Sequence, residues 1–317
     1  MLTQFTSSLL MIQPVAFRFN EETAVNNYYQ RLLKGVTQDQ IQSLALIEFN
    51  DFVHLLDSNG VEVIVVEDTI LPNTPDSIFP NNWISFHQDG RVALYPMCAQ
   101  NRRLERRLDI LDILRNKHNF IAQQPIDFSH YEQKNIFLEG TGSMLLDREN
   151  MIAYAALSNR TSLQILQDFC KIFGYKPHTF ISNQTVGYER LPVYHTNVMM
   201  CLADSFVILC ADSIDNPLER QNLINSLVST GKEIIYITEI QKHSFAGNML
   251  QVSNKSQDRF LVMSNSAHQA LTAIQIKQIE NHCPILSSSL DTIEACGGGS
   301  ARCMMAEIFL PKKNKNQ

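Results

Sequence analysis

Charge, paired cysteine and long apolar runs are all scarce in this 317-residue chain. Charged residues make up 18% and the formal net charge is −6, so no basic surface dominates that would attract a phosphate backbone or anionic lipid. Nucleic acid is therefore not an expected partner. No stretch reaches the ~20 apolar residues of a membrane span, and the opening MLTQFTSSLLMIQP lacks the basic region of a leader. The expectation is a soluble, cytoplasmic protein without a membrane partner. The seven cysteines, at 98, 170, 201, 210, 283, 296 and 303, are odd in number and form no CxxC pair, which fits reduced thiols. HExxH is absent and the nine histidines show no ligand spacing, so neither a metal nor any other cofactor is expected. The Glu-Gly-Thr-Gly-Ser run at 139–143 is followed by no Lys-Ser/Thr, and GxGxxG does not occur, which argues against nucleotide binding.

Apolar residues amount to 44%, enough for a large core. Length alone suggests about two domains, but a period in the chain replaces that count. VEVIVV (61–66), KEIIYI (232–237) and CPILSSS (283–289) are short β-rich runs that each follow an amphipathic helical stretch. Hairpin patterns recur at 83–96, with an Asp89-Gly90 turn, and at 143–157, 198–211 and 248–264. The C-terminal strand ARCMMAEIFLP needs the N-terminal SLLMIQP beside it to complete a fifth unit. The residues that open these hairpins are Trp83, Glu139, His195, Asn248 and Cys303, separated by 56, 56, 53 and 55 residues. Such regularity marks a repeat architecture. The expected fold is α/β, a single closed domain over 1–317 made of five ββαβ-type units of about 55 residues, with 311–317 as a frayed tail.

Helices are expected outside the ring over 22–58, 100–117, 161–173, 216–230 and 265–280. Thr161 or Ser158 is the N-cap of the third, and Asn216-Pro217 starts the fourth. If five equivalent loops point to one axis, the residues opening the hairpins meet in a central pocket. The glycine triplet 297–299 before Cys303 lets backbone approach a ligand closely. A thiol there can serve as nucleophile when an imidazole and an orienting carboxylate stand by, and the register supplies Cys303, His195 and Glu139. Each has a plainer reading: Glu139 as a turn cap, His195 as a satisfied core histidine, Cys303 as a small hydrophobe. Register with one another favours the triad. The other six cysteines are expected to be buried hydrophobes, His54, His118 and His178 structural or surface groups, and Trp83 a packing residue rather than a pocket wall.

At these residues the chain resembles the pentein superfamily of five-bladed α/β propellers, which includes arginine deiminases, amidinotransferases and dimethylarginine dimethylaminohydrolases. The resemblance spans essentially the whole sequence. It is carried by PDSIFPNNW (75–83), LEGTGSMLLDR (138–148), VYHTNVMM (193–200), FAGNML (245–250) and GGGSARCMMAEIFLP (297–311), and these motifs are most like those of the bacterial citrulline-utilisation branch. It implies Cys303 as nucleophile, His195 as general acid and base, and Glu139 as its orienter. It also matches Arg102 (in Arg-Arg-Leu-Glu) and Arg160 (in Ser-Asn-Arg-Thr) to arginines that hold a substrate α-carboxylate, a task suited to a bidentate guanidinium. Asp76, matching the acid of a Pro-Asp-x-x-Phe motif, is assigned to the substrate amino group.

The departures are informative. Asn81 and Asn82 stand where the dimethylarginine hydrolases carry two acids, and Asn197 where arginine deiminases carry one. A guanidinium is costly to desolvate without anionic partners, whereas amides match a neutral ureido group. The resulting expectation is a cysteine-dependent hydrolase of citrulline or a similar ureido amino acid. It would work through an S-carbamoyl intermediate, with oxyanion donors around 297–302. A guanidino hydrolase or amidinotransferase is the first alternative. A non-catalytic binder is the second, since the ribosome anti-association initiation factor shares the fold. The partner expected is a small molecule, and a homo-oligomer is left open.

Overall fold

The computed structural model describes residues 3–313. Five three-stranded sheets share one connectivity: an antiparallel pair, then a helix, then a third strand parallel to the second. In chain order they are Ile84–Phe86 with Val92–Leu94 and Ile126–Asp127, then Leu145–Asp147 with Ile152–Ala156 and Lys176–Phe180, then Met200–Leu202 with Phe206–Leu209 and Glu233–Tyr236. Leu250–Ser253 with Arg259–Ser264 and Ile285–Ser288 form the fourth. The fifth joins the two ends of the chain. Ala306–Glu307 runs antiparallel to Ser8–Gln13, in register Leu10↔Ala306, and Ser8–Gln13 runs parallel to Glu62–Glu67. First strands of different sheets lie side by side: Leu145–Asp147 and Leu250–Ser253 against Met200–Leu202, and Ala306–Glu307 against Ile84–Phe86.

The middle strands are covered on both faces and so read as unbroken apolar runs; Phe206–Leu209 is buried throughout. Helices close the outer faces. Gln38–Ser58 turns Ile41, Ala45, Phe49, Phe52 and Leu56 inward at three- and four-residue spacing, and burying each phenylalanine is worth about 2–3 kcal/mol. Pro217–Ser229 begins as its sequence signals, with Asn216 accepting from the backbone of Leu218 and Glu219 and Pro217 at the first helical position.

Several element boundaries differ from expectation. The stretch 22–58 is not one helix but a short turn, Glu21–Ala24, and the long Gln38–Ser58, with a loop between them. Gly35 sits there at φ +77, and Thr37 restarts the helix with a capping box to Gln40. The stretch 265–280 is likewise divided into Asn265–Ala270 and Ala273–Glu280 by a second capping box at Thr272. In 100–117, only Asp109–Lys117 is α-helical, preceded by the 3-10 turn Asn101–Glu105. Ser162, not Thr161 or Ser158, takes the N-cap position of Leu163–Phe173. An additional hairpin, Asn183–Val186 with Glu189–Pro192, turns at Gly187.

The tail is anchored further than expected. Lys312 bonds both carboxylate oxygens of Glu62 at 2.7 and 2.8 Å, and the Lys313 amide donates to the Asn119 carbonyl. Residues 314–317 of the expected frayed end lie outside the described residues. Among those described, no helix is long and apolar enough to cross a membrane, and no group of three or more His, Cys, Asp or Glu could hold a metal ion. All seven cysteines are unpaired; six are buried and Cys98 is half-buried. Trp83 is buried in the core beside Ile84 and Phe86.

Candidate active site

The first strand of each sheet is entered from a tight turn or loop, and these openings carry the chemistry. Glu139 precedes the turn Gly140–Ser143, His195 precedes Thr196–Met199, and Cys303 lies in the 3-10 turn Ala301–Met304. A cavity of about 20 Å³, room for roughly one water, is lined by His195 and Cys303 together with Asp76, Asn82, Arg102 and Arg160. Phe79, Tyr194, Thr23, Asn27 and the 297–299 glycines complete its wall.

Glu139 sits directly behind His195 and is wholly buried. One oxygen accepts from the Cys98 amide at 2.8 Å and the other from His195 Nε2 at 2.8 Å, while Arg160 Nη1 stands 3.5 Å away. Burial alone would raise its carboxyl, but Arg160 and the His195 bond override this and hold it well below the usual range. For His195, burial dominates and the Glu139 bond opposes it only partly, with Arg160 and Arg102 adding repulsion. The imidazole is pulled down to about 4. It is therefore neutral at pH 7, with Nε2–H donated to Glu139 and the lone pair on Nδ1. Gly142 is required here by space. A Cβ on it would lie 2.4 Å from Asn82 Nδ2 and 2.8 Å from His195 Nδ1, so those two atoms crowd one point.

Cys303 Sγ accepts from two side-chain amides, Asn248 Nδ2 at 3.3 Å and Asn197 Nδ2 at 3.4 Å. The backbone amides of Gly298, Arg302 and Cys303 are already bonded to carbonyls of Glu294, Asn248 and Ser300. The expected oxyanion donors in this loop are thus partly occupied, whereas the cavity-lining Asn82 Nδ2 is buried without a partner. Both Asn81 side-chain atoms are also unpartnered; Asn81, Asn197 and Asn248 are all buried and outside the residues that line the cavity.

Arg102, also on the cavity wall, closes its fork on Glu105 at 2.9 and 2.9 Å and donates from Nη1 to Asn82 Oδ1 at 2.8 Å. It is 3% exposed, so it is no solvated helix face. Arg160 bonds Asn26 Oδ1 and the Thr23 carbonyl and stacks on Tyr194. Both expected clamp arginines reach the cavity, yet each is engaged within the protein. Asp76 Oδ2 accepts from Asn20 and Thr23, while its Oδ1 is buried and unpartnered. Burial raises its carboxyl above the usual range despite nearby Arg102.

Sequence reasoning missed Asn20, Thr23, Asn26 and Asn27, having placed most of this segment in a helix, although Asn26-Asn27 and Gly35 are loop signals. It assigned no role to Asn248, which served to mark the period and as part of FAGNML.

Residues 13–310 match the family described as N,N dimethylarginine dimethylhydrolase, eukaryotic. The chain belongs to that family. It is thereby a member of the pentein superfamily, whose relatives here are hydrolases of carbon–nitrogen bonds. No curated protein matches it by sequence. Among solved structures it is similar to ArgZ, an arginine dihydrolase from the ornithine–ammonia cycle in cyanobacteria, with a TM-score of 0.73 and 15% identity. That match covers 96% of this chain and 41% of ArgZ, so the chain spans about two-fifths of that protein. The substrate-bound N-terminal domain of ArgZ matches with a TM-score of 0.71 and 15% identity, over 95% of this chain and 97% of the domain. A dimethylarginine dimethylaminohydrolase adduct with S-methyl-L-thiocitrulline matches with a TM-score of 0.60 and 13% identity, over 97% and 100%. At these identities the likeness is one of fold.

Proposed function

We propose that this pentein hydrolyses the ureido group of citrulline or a similar amino acid, with Cys303 as nucleophile, His195 as acid and base, and Glu139 as orienter. At the coarser level it is a guanidino-type carbon–nitrogen hydrolase. Its five like-connected sheets form the blades of one ring around the cavity, a reading supported by the neighbouring first strands and by the fifth sheet joining both chain ends.

In the proposed reaction, His195 Nδ1 takes the Cys303 proton and the thiolate attacks the ureido carbon. Asn82 Nδ2 donates to the developing oxyanion. The intermediate collapses by breaking the bond to the ornithine δ-nitrogen, which receives the proton from His195. A water then gives a proton to Nδ1 and attacks the S-carbamoyl carbon. The carbon–sulfur bond breaks, the thiolate recovers its proton, and the carbamic acid falls apart into ammonia and carbon dioxide. Arg102 and Arg160 form the positive end for the α-carboxylate, and the unpartnered Asp76 Oδ1 receives the ammonium. A substrate of this size must displace part of the lining, since the cavity is one water wide.

The observation that carries the choice is that the side chains hydrogen-bonded to Cys303 Sγ are amides, while Asp76, the cavity carboxylate with a free oxygen, is assigned to the substrate ammonium. Asn82, Asn197 and Asn248 are all amides, and Glu139 is fully bonded to His195, Arg160 and the Cys98 amide. A neutral ureido group can pair with amides without an uncompensated charge. The second reading is arginine as substrate, favoured by the family and by the arginine dihydrolase resemblance. The Glu139–His195 bond and the presence of Cys303 on the same cavity weigh against a non-catalytic binder. Initial rates with citrulline, arginine and dimethylarginine, with ornithine and ammonia quantified, test the choice. Citrulline is expected to have the highest kcat/KM, and a higher value for arginine overturns it.

A further inference from the structure

Asn248 stands in the same register as the triad, 53 residues after His195 and 55 before Cys303. The loop that delivers it is held at both ends. Phe245 occupies the left-handed region at φ +60, costly for an aromatic side chain. Gly247 packs so tightly that a Cβ would meet the Val198 carbonyl at 2.4 Å. The Asn248 amide donates to the Phe245 carbonyl at 2.8 Å, and its own carbonyl accepts from the Arg302 amide next to the nucleophile. Its Nδ2 then bridges the Asn197 carbonyl at 3.0 Å and Cys303 Sγ at 3.3 Å. That leaves Oδ1 buried with no partner, and Asn197 Oδ1 is in the same state. Two buried amide oxygens without donors beside one nucleophilic sulfur are unusual, because an unmade hydrogen bond at a buried acceptor is costly.

We propose that Asn248 is a catalytic and specificity-determining residue: its Nδ2 holds the Cys303 sulfur, and its Oδ1, with that of Asn197, accepts N–H from an unsubstituted terminal NH2 on the attacked carbon. The second half rests on the proposed hydrolase reading. A site that hydrogen-bonds a substrate N–H rejects analogues lacking it by up to ~10⁴-fold, because its own acceptors are then left unpaired. Citrulline carrying two methyl groups on its terminal nitrogen is such an analogue.

The test uses the full chain with Asn248→Ala and the near-isosteric Asn248→Asp. Without substrate, iodoacetamide alkylation of Cys303 at neutral pH, followed by peptide mass spectrometry, is expected to slow about tenfold in both variants and more in Asp, which keeps the shape but loses the donor. Alkylation within twofold of wild type in both variants overturns the first half. With substrate, the preference for citrulline over its dimethyl analogue is expected to fall by at least about 100-fold in Asn248→Ala; an unchanged ratio overturns the second half. If Asn248→Ala fails to fold, Asn248→Asp decides the first half, and Asn248→Leu, which fills the same space without an acceptor, decides the second. Wild-type protein that turns over neither citrulline nor arginine sinks the hydrolase reading and with it the second half, while the alkylation result still decides the first.

Discussion

The two ends of the cavity are built from different chemistry. Around Cys303 the neighbours are neutral amides, several with unpartnered atoms. Around Asp76, the arginines Arg102 and Arg160 are locked by Glu105, Asn26, Thr23 and Glu139, and only one Asp76 oxygen is left over. Buried charges must be paired, so the charged end is fixed internally before any ligand arrives. The amide end can leave hydrogen-bonding capacity open at lower cost, and that capacity is what a ligand can read.

The largest expected effect lies at the amide end. Cys303→Ala should lower kcat by at least ~10⁴-fold while the thermal midpoint stays near wild type; residual ornithine production close to wild type would end the nucleophile assignment. Glu139→Gln keeps the shape but removes the charge that orients His195 and pairs with Arg160. A loss of ~10³–10⁴-fold in kcat is expected, by analogy with orienting acids elsewhere. Arg160→Met spans both ends, because it removes a cavity cation and uncovers Glu139. A fall of ~10²-fold or more in kcat/KM, mostly through KM, should accompany destabilisation of about 3–5 kcal/mol in urea unfolding. A change confined to stability would separate Arg160 from substrate.

Gly142→Ala tests the crowding of Asn82 and His195. Overpacking costs about 1–3 kcal/mol, and a 10- to 100-fold loss in kcat is expected; full activity would mean the wall yields freely. The smallest effect is in pH. His195, depressed to about 4 in the folded protein, binds its proton later than in the unfolded chain as pH falls. Stability should therefore decline from about pH 6.5 downward, by no more than about 1.4 kcal/mol per pH unit from this group, and the ionised Glu139 adds in the same direction at lower pH. Asp76 has the opposite sign: its raised carboxyl contributes stability when protonated and loses it as pH rises. Urea midpoints from pH 7 to 4 for wild type and Asp76→Asn should diverge accordingly, and parallel curves would erase the contrast between the ends.

Much of the fold was legible in the chain because its strands are local. A hairpin such as 198–211 needs only its own alternation and turn, and four such hairpins in register reveal the period. The proximity of Glu139, His195 and Cys303 was legible for the same reason, since they occupy equivalent positions: Glu139 bonds His195, and His195 and Cys303 line one cavity. The loop 25–37 was not, because the apolar periodicity of Gln38–Ser58 extends backward past a break that Gly35 and the Thr37 cap decide. Nor was the anchoring of Lys312 by Glu62, a pairing across 250 residues.

By itself the sequence determined which residue types meet at the hairpin openings, and hence the thiol, imidazole, carboxylate and amides of the site. Tertiary structure decided their partners. An arginine in a motif fits any nearby acid or carbonyl, and only folded distances put Arg102 on Glu105, Arg160 beside Glu139, and two amide nitrogens on Cys303 Sγ. Hydrogen bonds and ion pairs depend on ångström-scale geometry that no spacing along the chain encodes.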